Sequence, residues 1–159
     1  MQKADNPNQQ FAAVEDLLTR WLRERRKLLS QYTQIAVAVD TPLAPSTLMN
    51  YQKALCGLLV DYVSAGHFEV FNQLLNEAET FADGSGEIAK AVIPAIGDTT
   101  EVILAYEEKY GRGDDYPETI QRDLSSLGEV LESRFVLEDK LIAGLHYIHR
   151  HLVTTQVSK

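Results

Sequence analysis

Apolar residues recur along the chain at the three-to-four-residue spacing of α-helices, and the alternation typical of strands is scarce. The pattern predicts a first helix over residues 10–38 and a last helix over residues 118–151. The stripe of the first helix is Val14, Leu18, Trp21, Arg25, Leu28, Tyr32, Ile35 and Val39. The stripe of the last helix is Ile120, Leu124, Leu127, Leu131, Arg134, Glu138, Leu141, Leu145, Ile148 and Leu152. Such stripes indicate helices that each bury one face.

Proline and glycine divide the region that follows the first helix. Pro42 and Pro45 end that helix, and Ser46 or Thr47 is expected to cap the second one. Gly66 predicts a left-handed stop or a sharp bend, after which a third helix begins.

Two loops are predicted further along, at residues 83–86 and 111–117. Between them lies a fourth helix over residues 87–110, which Pro94 should kink. About five helices connected by short loops predict an all-α protein, an antiparallel helical bundle that resembles a four-helix bundle.

The bundle is expected to form one domain, because the sequence contains no internal repeat and no linker long enough to separate two domains. We place this domain at residues 10–152. The segments at 1–9 and 153–159 are expected to be flexible tails.

The net charge of the chain indicates which partners it would attract. Lys and Arg number 15 and Asp and Glu 23, for a net charge of −8, and all of the acidic excess lies in residues 51–159. An acidic body repels nucleic acid and attracts basic partners, although solubility alone would also explain it. A single cysteine, the lack of an apolar leader and the lack of an apolar run of about 18 residues favour a cytoplasmic protein without a membrane span.

Motifs for catalysis or cofactor binding are absent from the sequence. The glycine-rich stretch at 83–86 lacks the Lys-Ser/Thr of a phosphate loop, and no histidine has the Glu-x-x-His spacing of di-iron bundles. His146 and His149 are expected to lie solvated near a helix end, and Cys56 to be a small core residue. The sequence therefore predicts neither an enzyme nor a bound metal or cofactor.

Three charged residues stand on stripes that otherwise face the core: Arg25 in the first helix, and Arg134 and Glu138 in the last. A buried ion network that fixes helix register, side chains that reach out to water, or a polar cavity facing a partner would each explain them. The nearby basic run at 20–27 is interrupted by Glu24 and is expected to be a charged helix face, not a nucleic-acid site.

Three segments together resemble a known family. They are RWLxxRxxLL at 20–29, LVDYVSAGHF at 59–68 and GExLExRFVLEDKLI at 128–142. In this order and spacing they are similar to the regulator of sigma D family, the Rsd/AlgQ anti-sigma factors of gammaproteobacteria. The resemblance covers residues 10 to 150.

The resemblance implies a helical bundle that binds region 4 of the primary sigma factor in a one-to-one complex. Such a complex hinders the binding of sigma to core RNA polymerase and to the −35 promoter element, typically in stationary phase. Region 4 is a helix-turn-helix domain whose basic recognition helix suits an acidic surface. No catalysis and no direct nucleic-acid contact are implied. Self-association, or a different signalling partner on the same bundle, stays open.

The resemblance also places the contact surface in the segment that runs from residue 61 to residue 68. Asp61 is expected to be a charge partner, Ser64 a hydrogen-bonding contact and Phe68 an apolar anchor, with Tyr62 and His67 in the same surface. The alternatives are an ordinary core position for Phe68, and an exposed helix carboxylate or a cap for Asp61.

Overall fold

The computed structural model describes residues 6–41, 45–112 and 116–157. These ranges are helical apart from short turns and contain no strand, which confirms the all-α prediction. The α-helices are α1 Pro7–Ala38, α2 Pro45–Ala65, α3 Phe71–Phe81, α4 Ala89–Tyr110, α5 Ile120–Leu145 and α6 Arg150–Val157. Single turns of other helix types connect some of them: a π-helical turn Gly66–Val70 and the 3-10 turns Ser85–Ile88 and Tyr147–His149.

Helix α1 begins three residues before the predicted start, at Pro7. Asn6 caps it, since its side-chain oxygen accepts a hydrogen bond from the backbone N–H of Asn8 at 2.7 Å. Proline suits this first position because the N–H that it lacks would have no partner there. Residues 7–9, which were expected to belong to a flexible tail, are therefore helical.

The start of α2 differs from the prediction. Pro45 is its first residue, so Ser46 and Thr47 lie inside the first turn and do not cap the helix. Pro42, the other predicted breaker, lies outside the described residues.

The prediction of a stop or sharp bend at Gly66 is wrong. The backbone passes from α2 into α3 through the π-helical turn, in which the N–H of Phe71 binds the carbonyl of Gly66. A Cβ atom at Gly66 would lie 3.0 Å from the ring of Trp21, so this glycine allows close packing against α1. The chain reverses instead after α3, at Ala82 with φ 52°, one residue before the predicted loop, and at Gly84 with φ 81°, inside it.

Within the continuous helix over Ser46–Phe81, one window of 18 residues has a mean hydropathy of 1.3, so the helix is long and apolar enough, by length and composition alone, to cross a membrane. The helix is not an unbroken apolar run, since Asp61, His67 and Glu69 interrupt it, and the expectation of no membrane span stays a prediction. Its apolar composition has another explanation, because the helix packs on α1 along one side and on α4 along another. A central helix of a bundle buries more than one face and is apolar for that reason.

The helices pack antiparallel around one core. Helix α1 lies antiparallel to α2 and α3, which contact it along its length, and α4 packs between α2 and α5. The Tyr32 hydroxyl donates to the carbonyl of Leu124 at 2.7 Å and ties the far end of α1 to the start of α5. The predicted stripe of α1 faces the core along its length, and Cys56 is buried as expected. Pro94 lies within α4 on its exposed side, and the kink stays a prediction.

The end of the predicted last helix differs from the sequence pattern. Helix α5 stops at Leu145, and a tighter 3-10 turn with about three residues per turn follows. This turn shifts the register, so Ile148 is 49% exposed although it continues the apolar stripe, and His149 is buried in its place. Helix α6 runs on to Val157, through most of the segment that was expected to be a flexible tail. The single-domain prediction itself stays a prediction.

Replacing Gly128 with alanine is expected to destabilise the fold by about 1–3 kcal/mol, the usual cost of overpacking. A Cβ atom there would overlap the Tyr32 hydroxyl and push it away from the Leu124 carbonyl. Urea denaturation measures the change. In a Tyr32→Phe background the same substitution should cost less, because the overlapping hydroxyl is absent. Equal costs in both backgrounds would contradict this account.

Candidate functional site

The end of α2 and the π-helical turn present one exposed face. Asp61 is exposed, Ser64 is half-buried and Phe68 is 80% exposed. The three residues lie at i, i+3 and i+7, so they share one side of the helix. We call them the docking edge. Phe68 is not a core residue, because the neighbouring Val70 and Phe71 fill the interior at this turn.

Tyr62 and His67 point inward behind the docking edge. Tyr62 is buried and stacks on Trp21, with ring centroids 4.6 Å apart and planes 3° apart. The indole N–H of Trp21 also donates to the backbone carbonyl of Tyr62 at 3.2 Å. A ring nitrogen of His67 lies 3.0 Å from the Thr100 hydroxyl of α4. The structure thus places these two residues as supports of the edge, and their contact with a partner stays a prediction.

The three charged residues on apolar stripes come together next to Tyr62. Glu138 is fully buried and accepts hydrogen bonds from Arg134 Nε at 2.7 Å, Arg25 Nη2 at 2.9 Å and the Tyr62 hydroxyl at 2.5 Å. Arg25 also donates to Asp139 at 2.9 Å, at the protein surface. We call this set the buried charge network. It links α1, α2 and α5 through one carboxylate.

The other side of Arg134 is turned toward α4. Its Nη1 lies 2.7 Å from the Thr100 hydroxyl and 3.1 Å from that of Thr99. Its Nη2 is buried without a hydrogen-bond partner among the described residues, near the backbone of Gly66. Of the three explanations for these charges, side chains reaching out to water do not hold for Arg134, which is fully buried. The arrangement is a buried ion network.

The network sets the protonation of the groups around it. Burial and the adjacent Glu138 raise the pKa of Tyr62, so its hydroxyl keeps the proton that it donates to the carboxylate. Burial and the charge of Arg134 lower the pKa of His67. His67, which lies next to the docking edge, is therefore held toward its neutral form.

A groove between α1 and the π-helical turn that follows α2 lies beside the docking edge. It is lined by Leu17, Arg20, Trp21, Arg23, Glu24, Lys27, Ala65, Glu69 and Val70. Its basic side chains belong to the run singled out in the sequence. Arg20 pairs with Asp16 and Lys27 with Glu24 in exposed ion pairs, which confirms a charged helix face. The surface around the edge therefore carries both signs of charge.

The sequence missed two groups of polar residues. Thr99 and Thr100, which hold Arg134, gave no signal beyond being adjacent on an apolar helix. His146 and His149 were expected to be solvated, and this is wrong, because both are fully buried against Glu77. Their pairing with a carboxylate about seventy residues away in the sequence could not be seen before the helices were packed.

No group of three or more His, Cys, Asp or Glu side chains in the described part of the chain is arranged to hold a metal ion. Burial, helped by Glu107, raises the pKa of Cys56 to about 12, which leaves this thiol protonated and a poor nucleophile.

Comparison with known proteins supports the resemblance found in the motifs. The chain matches the family "Regulator of RNA polymerase sigma(70) subunit, Rsd/AlgQ" over residues 1–146. A protein of Shigella boydii named "Regulator of sigma D" is 36% identical over 151 residues, covering 89% of this chain and 91% of that protein. A protein of the same name from Yersinia pseudotuberculosis is 32% identical over 150 residues, covering 89% and 86%.

No solved structure matches the chain significantly. The sequence relationship covers most of both chains and reaches beyond the three motifs, from α1 to the end of α5. The chain therefore belongs to the Rsd/AlgQ family of regulators of the RNA polymerase sigma(70) subunit.

Proposed function

We propose that this protein is a cytoplasmic anti-sigma factor that binds region 4 of the primary sigma factor in a one-to-one complex through the docking edge. The observation that carries the proposal is Phe68, a large apolar side chain that is 80% exposed between the polar residues His67 and Glu69. Exposed aromatic side chains at the centre of a mixed polar surface are the usual anchors of protein interfaces. Family membership supplies sigma as the partner.

The proposed mechanism is occlusion without catalysis. Region 4 reads the −35 element with a basic helix, and Asp61 offers a carboxylate to such a helix. Phe68 anchors the contact by entering an apolar recess of the partner, while the half-buried Ser64 contributes a hydrogen bond. While the complex lasts, the sigma surface that faces promoter DNA and core polymerase is covered.

The buried charge network supports this edge from behind. It holds Tyr62, which lies next to Asp61, against Trp21 and Glu138. A rigid anchor loses less conformational entropy on binding than a mobile one. The network therefore contributes to affinity without touching sigma.

Replacing Asp61 with asparagine is expected to weaken sigma binding by about twofold to fivefold at low salt, chiefly by slowing association. Titration calorimetry and stopped-flow mixing with purified region 4 measure both effects. The difference between the variant and the original protein should shrink as salt screens the charge.

Glu132→Gln is the matched control, because it removes the same charge from the exposed face of α5. It should leave the association rate almost unchanged. A complete absence of binding by the original protein at low salt would refute the proposed function and favour a different protein partner. Equal effects of the two substitutions would remove Asp61 from the site.

A further inference from the structure

A second cluster of charged residues lies where α1, α3 and the C-terminal turn meet. Its centre is Glu77, which is fully buried. One carboxylate oxygen lies 2.6 Å from Nδ1 of His146, and the other lies 2.6 Å from Nδ1 of His149. Both imidazoles are fully buried as well. One carboxylate thus holds both ends of the turn that connects α5 to α6.

The outer nitrogens of the two rings also face acidic groups. His146 Nε2 lies 2.6 Å from the carboxylate of Glu15 on α1. His149 Nε2 lies 3.0 Å from the carboxylate of Asp83 and 3.3 Å from the hydroxyl of Ser85, in the loop after α3. All four ring nitrogens therefore lie within hydrogen-bond distance of a carboxylate oxygen.

Aromatic rings pack against the faces of the two imidazole rings. Phe11 stacks on His146 with centroids 4.1 Å apart, and Phe81 stacks on His149 with centroids 4.0 Å apart. Tyr147 packs near His146 at an angle. These contacts fix the ring planes, so the imidazoles cannot turn away from their partners without leaving their positions.

Hydrogen-bond chemistry defines the protonation that this geometry requires. A carboxylate can only accept, and an imidazole donates from both nitrogens only when it is protonated. Four contacts between ring nitrogens and carboxylates therefore require two imidazolium ions. With Arg150, which lies 3.6 Å from Glu15, three positive groups then face three carboxylates.

We propose that Glu77, His146 and His149 form a protonation-dependent latch that holds the C-terminal turn and α6 against α1 and α3. The facing charged groups are Glu15 on α1, Asp83 in the loop and Arg150 on α6. This proposal does not depend on sigma binding.

The direction of the pH dependence follows from the donors. As the pH rises, each imidazole that loses a proton leaves a nitrogen lone pair facing a carboxylate, so the latch opens at alkaline pH. At acidic pH the latch requires that its carboxylates stay charged. The hydrogen bond from Ser85, with help from His149, lowers the pKa of Asp83 and keeps it charged as the pH falls.

Amide hydrogen exchange and imidazole nitrogen chemical shifts test the latch on the whole chain. As the pH is raised, the rings should change from the protonated to the neutral shift pattern. Over the same rise in pH, exchange at residues 146–153, corrected for its intrinsic pH dependence, should accelerate by about tenfold to a hundredfold relative to the core of α4.

Asp83→Asn keeps the oxygen that binds the Ser85 backbone N–H at 3.0 Å and replaces the charged acceptor beside His149 with an uncharged NH2 group. It should move the opening midpoint to lower pH. His149→Gln should make the pH step smaller, because only His146 then remains between carboxylates, and residues 146–153 should exchange faster at acidic pH. His67→Gln, a histidine outside the cluster, should leave the step unchanged.

Neutral imidazole shifts at acidic pH, or a pH-independent exchange rate at residues 146–153, would overturn the proposal. If His149→Gln does not fold, Asp83→Asn still decides the matter, because its effect is a shift of midpoint in a folded protein. An unchanged midpoint in Asp83→Asn would count against the latch.

Discussion

Replacing Arg134 with alanine is expected to lower the free energy of unfolding by about 3–5 kcal/mol, the usual cost of breaking a buried ion pair. Glu138 would remain fully buried after losing the donor that lies 2.7 Å away. The hydroxyls of Thr99 and Thr100 would lose their donor at the same time. Urea denaturation followed by circular dichroism measures the loss.

Arg20→Ala is the matched control for Arg134→Ala. Arg20 also has an acidic partner four residues away on the same helix, Asp16, but both side chains are largely exposed. Its removal should cost about 1 kcal/mol or less. Equal costs for the two arginines would show that the buried charge network contributes nothing beyond a surface pair.

A double replacement distinguishes the net contribution of the ion pair from the cost of leaving one buried charge unpaired. Arg134→Met with Glu138→Leu removes both charges and keeps apolar volume in the core, so it should recover part of the stability that Arg134→Ala loses. If the recovered protein also binds sigma less tightly than the original, the network serves the docking edge in addition to the fold.

Replacing Phe68 with alanine is expected to weaken the proposed binding to sigma region 4 by about 2 kcal/mol or more, roughly thirtyfold in Kd. The free energy of unfolding should change by about 0.5 kcal/mol or less, because the side chain is 80% exposed and leaves no cavity. Titration calorimetry gives the affinity and urea denaturation gives the stability. A large binding loss at unchanged stability is the signature of an anchor.

Val37→Ala is the control for an exposed apolar residue away from the edge. Val37 is 62% exposed and lies near the end of α1, at the opposite end from the residues that pack on α3. Its truncation should leave both affinity and stability almost unchanged. If Phe68→Ala and Val37→Ala bind sigma equally well, Phe68 is not an anchor and the docking edge must be placed elsewhere.

The candidate site was only partly accessible from sequence. The motif placed Asp61, Ser64 and Phe68 in one segment. It did not show which residues of that segment face outward. Gly66 predicted a helix end on local grounds, whereas its contact with Trp21 on another helix favours a π-helical turn that continues the helix. That contact joins residues 45 positions apart in the sequence, and no local propensity contains it.

What the sequence determined by itself is the set of helices and their buried faces. Apolar periodicity is a local property, and it placed α1, α4 and α5 to within a few residues except where the last helix breaks. The charged positions within those stripes, Arg25, Arg134 and Glu138, were visible for the same reason.

Only the tertiary structure decided what those charges and the two histidines do. A buried charge is tolerable when partners reach it, and here the partners come from other helices: Tyr62 and Arg25 for Glu138, and Glu77 for His146 and His149. The pattern of one helix shows that a polar side chain faces the core. The groups that contact it there depend on how the helices pack. That packing buries His146 and His149, which the sequence alone predicted to be solvated.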